Sequence, residues 1–168
     1  MGFFLDKRVE LVGGEIIEMA AQKDTHVVGV ALAEKAAAAA FGAGYWPRTQ
    51  APLNLGVHDD PEPDLAVVIG SARDYIGSKN RVDPLLVIEV SDTTLLHDRF
   101  KKARRYARAG IRDYWIVNLV NHQLEVYRNP HRLGLHFTYD PALVLFRGQS
   151  IAPLAAPQTQ IRVDDLLP

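Results

Sequence analysis

The sequence predicts an α/β (α+β) protein in which a mixed β-sheet is flanked by helices, with residues 1–168 forming a single domain. Short apolar runs of strand length alternate with two longer segments of helical periodicity. A chain of 168 residues suits one hydrophobic core, and 48% hydrophobic residues is an ordinary globular composition. We find no internal repeat and no linker that would divide the chain.

The N-terminal third predicts a hairpin followed by a helix. The segment VELVGGEIIEM contains two strand-like runs around Gly13 and Gly14, which is typical of a hairpin. An alanine-rich helix is predicted to begin at Asp24 or Thr25, which can cap it, and to end at Phe41. Its small residues allow the helix to pack closely against a sheet.

A second helix is predicted from about Leu95 to Ala109, capped by Asp92, Thr93 or Thr94 and ended by Gly110. The remaining elements are predicted to be strands. They cover residues 46–55, 65–69, 85–91, 113–119 and 122–129, with further short strands in LHFTYD and ALVLF.

Composition excludes several classes of site and location. Without cysteine the chain has no disulfide and no thiolate metal site, so any metal must be held by oxygen or imidazole. No run of eighteen apolar residues predicts a membrane span, and the N-terminal residues do not resemble a signal peptide. We therefore expect a cytoplasmic protein, and its net charge of −1 favours no particular partner.

The stretch LLVIEVS, residues 85–91, places the carboxylate of Glu89 inside a strand that is predicted to be buried on both faces. An isolated buried carboxylate costs several kcal/mol or more, so Glu89 requires a partner such as a cation or a metal. A second carboxylate, Asp64, opens the strand LAVVI. If the two strands are neighbours, these carboxylates converge on one cation, for which Mg²⁺ or Mn²⁺ is suited.

The second helix presents three stripes at 100° per residue. An apolar stripe is predicted to face the core and consists of Leu96, Phe100, Ala103 and Ala107. A purely basic stripe is either a solvated surface or a phosphate-binding surface and consists of Lys101, Arg104, Arg105 and Arg108. The third stripe consists of Asp98, Lys102 and Tyr106.

The third stripe has two interpretations. Asp98 and Lys102 form either an ordinary exposed pair or part of a site, because the helix starts at the end of the strand that bears Glu89. In the second case Lys102 lies near Glu89. Even then, the alternative to a metal site is a buried Glu–Lys pair, with Asp64 as a capping residue.

The chain resembles the Uma2 family of restriction endonucleases within the PD-(D/E)xK nuclease superfamily. The resemblance rests on P-D at 63–64, E-V-S at 89–91, D-x-x-x-K-x-x-x-Y at 98–106 and A-G-I-R-D-Y-W-I-V at 109–117. It extends upstream to GEIIEM and His26 and downstream to LEVYR, so it covers most of the chain.

The resemblance implies a restriction-endonuclease-like core that cleaves phosphodiesters with a divalent metal. By position, Asp64 and Glu89 correspond to the acidic residues of the motif. The usual lysine lies two residues after the second acid, where this chain has Ser91, so the family pattern implies that Lys102 has migrated onto the following helix. If Lys102 does not reach the site, a degenerate relative becomes plausible.

Four further residues have open assignments. Glu15 and Glu18 are candidates for a metal ligand or general base, with surface acids as the alternative. His26 is either a contact of the site or a structural residue at a helix start. Tyr106 is a candidate hydrogen-bond partner of Asp98 or Lys102, with simple packing as the alternative.

The sequence therefore predicts a Mg²⁺- or Mn²⁺-dependent DNA endonuclease. Asp64, Glu89 and the carbonyl of Val90 are expected to hold the metal, and Lys102 to stabilise the charge that develops on phosphate. The basic stripe is expected to contact DNA phosphates. A homodimer through an edge strand of the C-terminal half is expected for cleavage of both strands. The rival hypothesis is a catalytically inactive nuclease-fold module that binds nucleic acid or a partner protein.

Overall fold

The computed structural model describes residues 9–12, 15–18, 23–56, 59–77 and 82–168. A six-stranded mixed sheet forms the centre, in the order β11-β8-β7-β6-β5-β3. Its strands, in chain order, are β3 (Tyr45–Thr49), β5 (Leu65–Ile69), β6 (Leu86–Ser91), β7 (Asp113–Asn118), β8 (Gln123–Arg128) and β11 (Leu143–Phe146). Strands β6 and β7 are parallel, and the other neighbouring pairs of this sheet are antiparallel.

Smaller sheets surround the central one. The predicted N-terminal hairpin is present as β1 (Val9–Val12) and β2 (Glu15–Glu18), and β1 also pairs with β4 (Asp59–Asp60). Two further hairpins are formed by β9 (His131–Leu133) with β10 (His136–Thr138), and by β12 (Ser150–Ile151) with β13 (Ile161–Arg162). Short 3₁₀ turns lie at Ala72–Tyr75 and Val163–Asp165.

Helices cover both faces of the central sheet, which confirms the predicted mixed sheet flanked by helices in one domain. Helix α1 (Asp24–Phe41) packs on one face. The other face is covered by a helical segment from residue 95 to residue 109, which we call the covering helix. It consists of α2 (Leu95–His97), a π-helical turn (Asp98–Lys102) and α3 (Ala103–Ala109). Within the described residues, no helix has both the length and the apolar character needed to cross a bilayer.

The alternation of side chains along the strands divides the core into two clusters. Ile88 and Val90 of β6 belong to the cluster under α1, whereas Val87 belongs to the cluster under the covering helix. Because Glu89 lies two residues after Val87, its side chain also faces the covering helix. The strand is thus buried on both faces, as its apolar sequence predicts.

The predicted apolar stripe of the covering helix is wrong for two of its four residues. Ala103 and Ala107 are buried, but Leu96 is 68% exposed and Phe100 is 58% exposed. The π-helical turn is the physical reason, because its Ala103 N–H donates to the Asp98 carbonyl five residues earlier. This extra residue rotates the preceding side chains by about 100° relative to a continuous α-helix.

The strand predicted for residues 46–55 also differs, because β3 ends at Thr49. Gln50 has a positive φ of 46°, which turns the chain out of the sheet, and Pro52 follows two residues later. The predicted caps of the second helix differ as well. The hydroxyl of Thr94 makes no cap and instead donates to Asp98 at 2.7 Å.

The covering helix is tied to the sheet by Arg99, which forms a two-point ion pair with Glu125 of β8. Glu125 is buried and also accepts hydrogen bonds from Asn118, Gln123 and Tyr127. Burial alone would raise the pKa of Glu125. The hydrogen bonds from Arg99 and the three neutral donors outweigh burial and lower the pKa to about 2.

We expect Gly29→Val to destabilise the protein because α1 approaches β6 closely at this position. A Cβ on Gly29 would lie 2.8 Å from Cγ1 of Val90. Overpacking of this kind costs about 1–3 kcal/mol of the free energy of unfolding. Urea denaturation is the measurement, with Ala31→Val at an exposed position of the same helix as the control. Equal effects of the two substitutions would contradict the close approach.

We expect Glu125→Gln to lower the free energy of unfolding by about 3 kcal/mol at pH 7, and by progressively less in acid. The folded-state pKa lies below the ordinary value of 4.5, so the stabilisation is present above that value. It is lost as the pH falls towards 2, where the carboxyl becomes protonated in the folded state as well. Denaturation curves of both proteins between pH 2.5 and 7 measure this difference, and a difference independent of pH would refute the ion pair.

Candidate active site

Asp64 and Glu89 lie side by side on neighbouring strands. Because Leu65 pairs with Ile88 in the antiparallel register of β5 and β6, the next facing positions are Asp64 and Glu89. Backbone groups connect the two side chains. The Asp64 N–H donates to Oε2 of Glu89 at 3.3 Å, and the Val90 N–H donates to Oδ2 of Asp64 at 2.8 Å. The two carboxylates therefore converge at one point on the sheet.

The covering helix supplies the partners of the buried Glu89, which is only 2% exposed. The Lys102 ammonium lies 3.1 Å from Oε1 of Glu89, and the Tyr106 hydroxyl donates to the same oxygen at 2.7 Å. Lys102 and Tyr106 are four residues apart, so both point from one face of the helix into the site. The proximity of Lys102 to Glu89, expected from the sequence, is thus present in the structure.

Asp98 is the third carboxylate of this cluster. Its Oδ2 accepts hydrogen bonds from the hydroxyls of Ser91 at 2.6 Å and Thr94 at 2.7 Å, and its Oδ1 lies 3.9 Å from the Lys102 ammonium. Ser91 occupies the position of the lysine in the usual superfamily motif. Here it orients Asp98, which in turn faces Lys102 from the preceding helical turn.

Sequence reasoning did not identify Ser91 and Thr94 as partners of Asp98. The available signal was the placement of two hydroxyl residues between a buried strand and an acid in the first turns of the next helix. Such residues are usually interpreted as helix caps. Only the burial of Asp98 distinguishes a site contact from a cap.

Burial is the main influence on the ionisation of Glu89. Burial, with smaller contributions from Asp98 and Asp64, raises the pKa of Glu89 to about 8 against the opposing effects of Lys102 and the Tyr106 hydroxyl. Three carboxyl groups thus lie close to the ammonium group of Lys102 and the imidazole of His26. Such an arrangement favours either a retained proton or an added cation.

His26 contacts the site from the first turn of α1. Its Nε2 lies 3.2 Å from Oδ2 of Asp64, and this hydrogen bond raises the pKa of His26 against the opposing effect of burial. The other ring nitrogen, Nδ1, is buried and has no hydrogen-bond partner among the described residues. Of the two sequence-based interpretations, contact with the site is therefore the one observed.

Asp64 and Glu89 offer carboxylate oxygens, which are the donors that a hard divalent cation prefers. No cluster of three or more His, Cys, Asp or Glu suited to a metal is present in the described part of the chain. Mg²⁺ commonly uses only one or two carboxylates and keeps several waters, so Asp64 and Glu89 suffice. The side chains of Glu15 and Glu18 lie outside the described residues, and the assignment of the Val90 carbonyl as a ligand stays a prediction.

The basic stripe lies mostly on the exposed side of the covering helix, whereas Lys102 is buried. Lys101, Arg104 and Arg108 are exposed, whereas Arg105 forms an ion pair with Asp59 of β4. Arg105 therefore differs from the other three basic residues, because its guanidinium already neutralises a carboxylate.

Comparisons with known proteins agree with this architecture. The model of the Uma2 family, described as "Putative restriction endonuclease", matches residues 4–164. A search of the curated proteins found no match. Among solved structures, the chain is similar to "a putative nuclease belonging to DUF820" from Anabaena variabilis ATCC 29413. The sequence identity is 15%, the TM-score is 0.71, and 96% of this chain and 90% of that chain are covered.

At this identity the structural likeness supports the fold alone, whereas the family match extends over nearly the whole chain. The family match supports a nuclease function at the level of the family description. The chain belongs to the Uma2 family, whose members are described as putative restriction endonucleases.

Proposed function

We propose that the protein is a divalent-metal-dependent endonuclease that hydrolyses phosphodiester bonds in DNA. The observation that carries this proposal is the buried Asp64–Glu89 pair with the Lys102 ammonium 3.1 Å from Glu89. Two carboxylates and one lysine are the groups that the family resemblance implies for a metal-dependent nuclease. Asp64 and Glu89 are adjacent on neighbouring strands, and Lys102 contacts Glu89 from the covering helix.

The charge balance of the site supports Mg²⁺ or Mn²⁺ as the cofactor. Burial, together with the nearby Asp98 and Asp64, raises the pKa of Glu89, so a cation bound beside this carboxyl group would favour its ionised form. Asp64 and Glu89 would hold the cation, together with the carbonyl of Val90. When bound, the cation supplies Lewis-acid polarisation of the phosphoryl group and of the attacking water.

The side chains of the site contribute to the proposed reaction through their positions and charges. Lys102 stabilises the negative charge that develops on the phosphoryl oxygens, in a place where burial strengthens its field. Tyr106 keeps Glu89 oriented through its hydroxyl, and Asp98 keeps Lys102 directed into the site. His26 donates to Asp64 and holds that carboxylate against the start of α1.

The exposed basic residues of the covering helix support nucleic acid as the substrate. Lys101, Arg104 and Arg108 would contact backbone phosphates, and Arg105 would contribute mainly through its ion pair with Asp59. Contacts to phosphates give affinity without reading the sequence of the DNA.

We expect the protein to nick supercoiled plasmid and to degrade single-stranded DNA in Mn²⁺ or Mg²⁺, and EDTA to abolish both activities. Glu89→Gln and Lys102→Ala should each reduce the rate by about 10²-fold or more, because each removes a charge from the reacting centre. The matched controls are Glu34→Gln and Lys35→Ala, which change the same side-chain types on the exposed side of α1. These controls should retain the wild-type rate.

A metal-binding measurement distinguishes a catalytic site from a structural ion pair. Asp64→Asn should lose Mn²⁺ binding in calorimetry while the thermal unfolding transition is retained. If the wild type does not bind Mn²⁺, and if any cleavage is equal in the wild type and the variants and is therefore contamination, the proposal fails. The inactive nuclease-fold module, in which Glu89 and Lys102 form only a buried pair, would then be supported.

We further propose a homodimer, since one small active site cuts only one strand of a duplex at a time. Strand β11 forms one edge of the central sheet and exposes Leu143 and Phe146. An exposed apolar edge strand is suited to pairing with a second copy.

Light scattering should give a mass twice that of the 168-residue chain. Phe146→Lys should shift the mass towards the monomer, whereas Leu96→Ala, which changes an exposed residue on the covering helix, should not. A monomeric wild type at working concentration would refute the dimer.

A further inference from the structure

A groove lies between the covering helix and the β9–β10 hairpin. Its volume is about 490 Å³. Cationic and apolar side chains line it together, and the principal ones are Phe100, Lys101, Arg104, Arg108, Leu135 and Phe137.

The positive charge of the groove favours an anionic ligand. Among the described residues, no carboxylate lines the groove. Lys101, Arg104 and Arg108 have no ion-pair partner among the residues that the structure describes, in contrast to Arg105 with its partner Asp59. Unneutralised cationic side chains in a concave surface attract anions, and phosphate diesters are anions that arginine binds well.

The apolar side chains of the groove favour a ligand that also has an apolar face. Phe100 is 58% exposed and Leu135 is 87% exposed, so the groove presents an aromatic ring and an aliphatic side chain to solvent beside its cations. Nucleotides combine an anionic phosphate with a flat apolar face. A base stacks on an exposed aromatic ring with about 1–3 kcal/mol of favourable free energy.

The π-helical turn is responsible for this surface. A continuous α-helix would direct Phe100 to the same stripe as the buried Ala103, whereas the turn at Asp98–Lys102 exposes Phe100 and buries Asp98 and Lys102. The Tyr114 hydroxyl supports the turn by donating to the Asp98 carbonyl at 3.1 Å. One irregular turn thus serves the active site and the groove together, and π-helical turns are frequent at functional sites.

The dimensions favour unpaired nucleotides. In a duplex the faces of the bases are covered by their stacked neighbours, so Phe100 would have no base to contact. The groove has the volume of a small-ligand pocket, which accommodates individual nucleotides.

We infer that this groove binds a single-stranded segment of DNA, with a base stacked on Phe100 and phosphates held by Arg104 and Arg108. This inference rests on the proposed function for the identity of the nucleic acid. It adds that the protein engages unpaired nucleotides beyond the scissile phosphate.

The test is equilibrium binding of a fluorescein-labelled twelve-nucleotide oligo(dT) in EDTA, followed by fluorescence anisotropy. A twelve-base-pair hairpin duplex and a hexaglutamate peptide serve as comparison probes. Wild type should bind oligo(dT) more tightly than either comparison probe. Phe100→Ala should weaken oligo(dT) binding by about ten-fold. Leu96→Ala is the matched control on the same helix, exposed but outside the groove, and should bind as wild type does.

The arginines have a separate readout. The double variant Arg104→Gln, Arg108→Gln should reduce the slope of log affinity against log salt concentration by roughly 1.4, because each phosphate contact on a single strand contributes about 0.7. An unchanged slope would overturn the role of these two residues.

Unchanged oligo(dT) binding by Phe100→Ala, or binding of the duplex or the peptide at least as tight as that of oligo(dT), would overturn the inference. Because binding is measured without metal, the result is independent of cleavage. Cleavage without Phe100-dependent binding would support the proposed endonuclease and refute single-strand binding by the groove. Phe100-dependent binding without any cleavage in Mn²⁺ would support the groove and refute the endonuclease.

Discussion

The rest of the site depends on the burial of Glu89 under the covering helix. A carboxylate in this position is stable only when the helix supplies an ammonium group and a hydroxyl within hydrogen-bond distance, and Lys102 and Tyr106 do so. The same contacts hold the helix in one rotational setting over the sheet. The contacts that place the functional groups of the site are therefore the same contacts that dock the helix on the sheet.

A second polar cluster reinforces that setting from the neighbouring strands. Arg99 leaves the covering helix three residues before Lys102 and reaches Glu125, which is further held by three neutral donors. Because Glu125 and Glu89 both lie on the face under this helix, the helix is anchored at two carboxylates rather than one. Side chains that support a functional group in this way reduce its freedom to move out of a productive position.

The π-helical turn resolves a conflict in the helix sequence. A regular α-helix would direct Leu96 and Phe100 to the core, whereas the site requires Asp98, Lys102 and Tyr106 to face the sheet. The extra residue in the π-helical turn lets these three side chains face the sheet, and it leaves the apolar side chains of Leu96 and Phe100 exposed. The exposed Phe100 is then available for contacts on the outer side of the helix.

The sequence by itself determined the alternation of strands and helices, the strand 65–69, and the unusual acid within the apolar run 85–91. These are local patterns, since burial and periodicity are expressed over a few consecutive residues. The spacing of four between Asp98, Lys102 and Tyr106 also allowed a shared helix face to be predicted.

Only the tertiary structure decided which distant residues complete the site. His26 meets Asp64 across 38 positions of the chain and Arg105 meets Asp59 across 46, and no local pattern records such pairs. The π-helical turn could not be predicted from the sequence either, because the spacing of the apolar residues matches that of an ordinary α-helix. Its position is decided by the competition between burying Phe100 and pairing Glu89 with Lys102, and that competition exists only once the helix lies on the sheet.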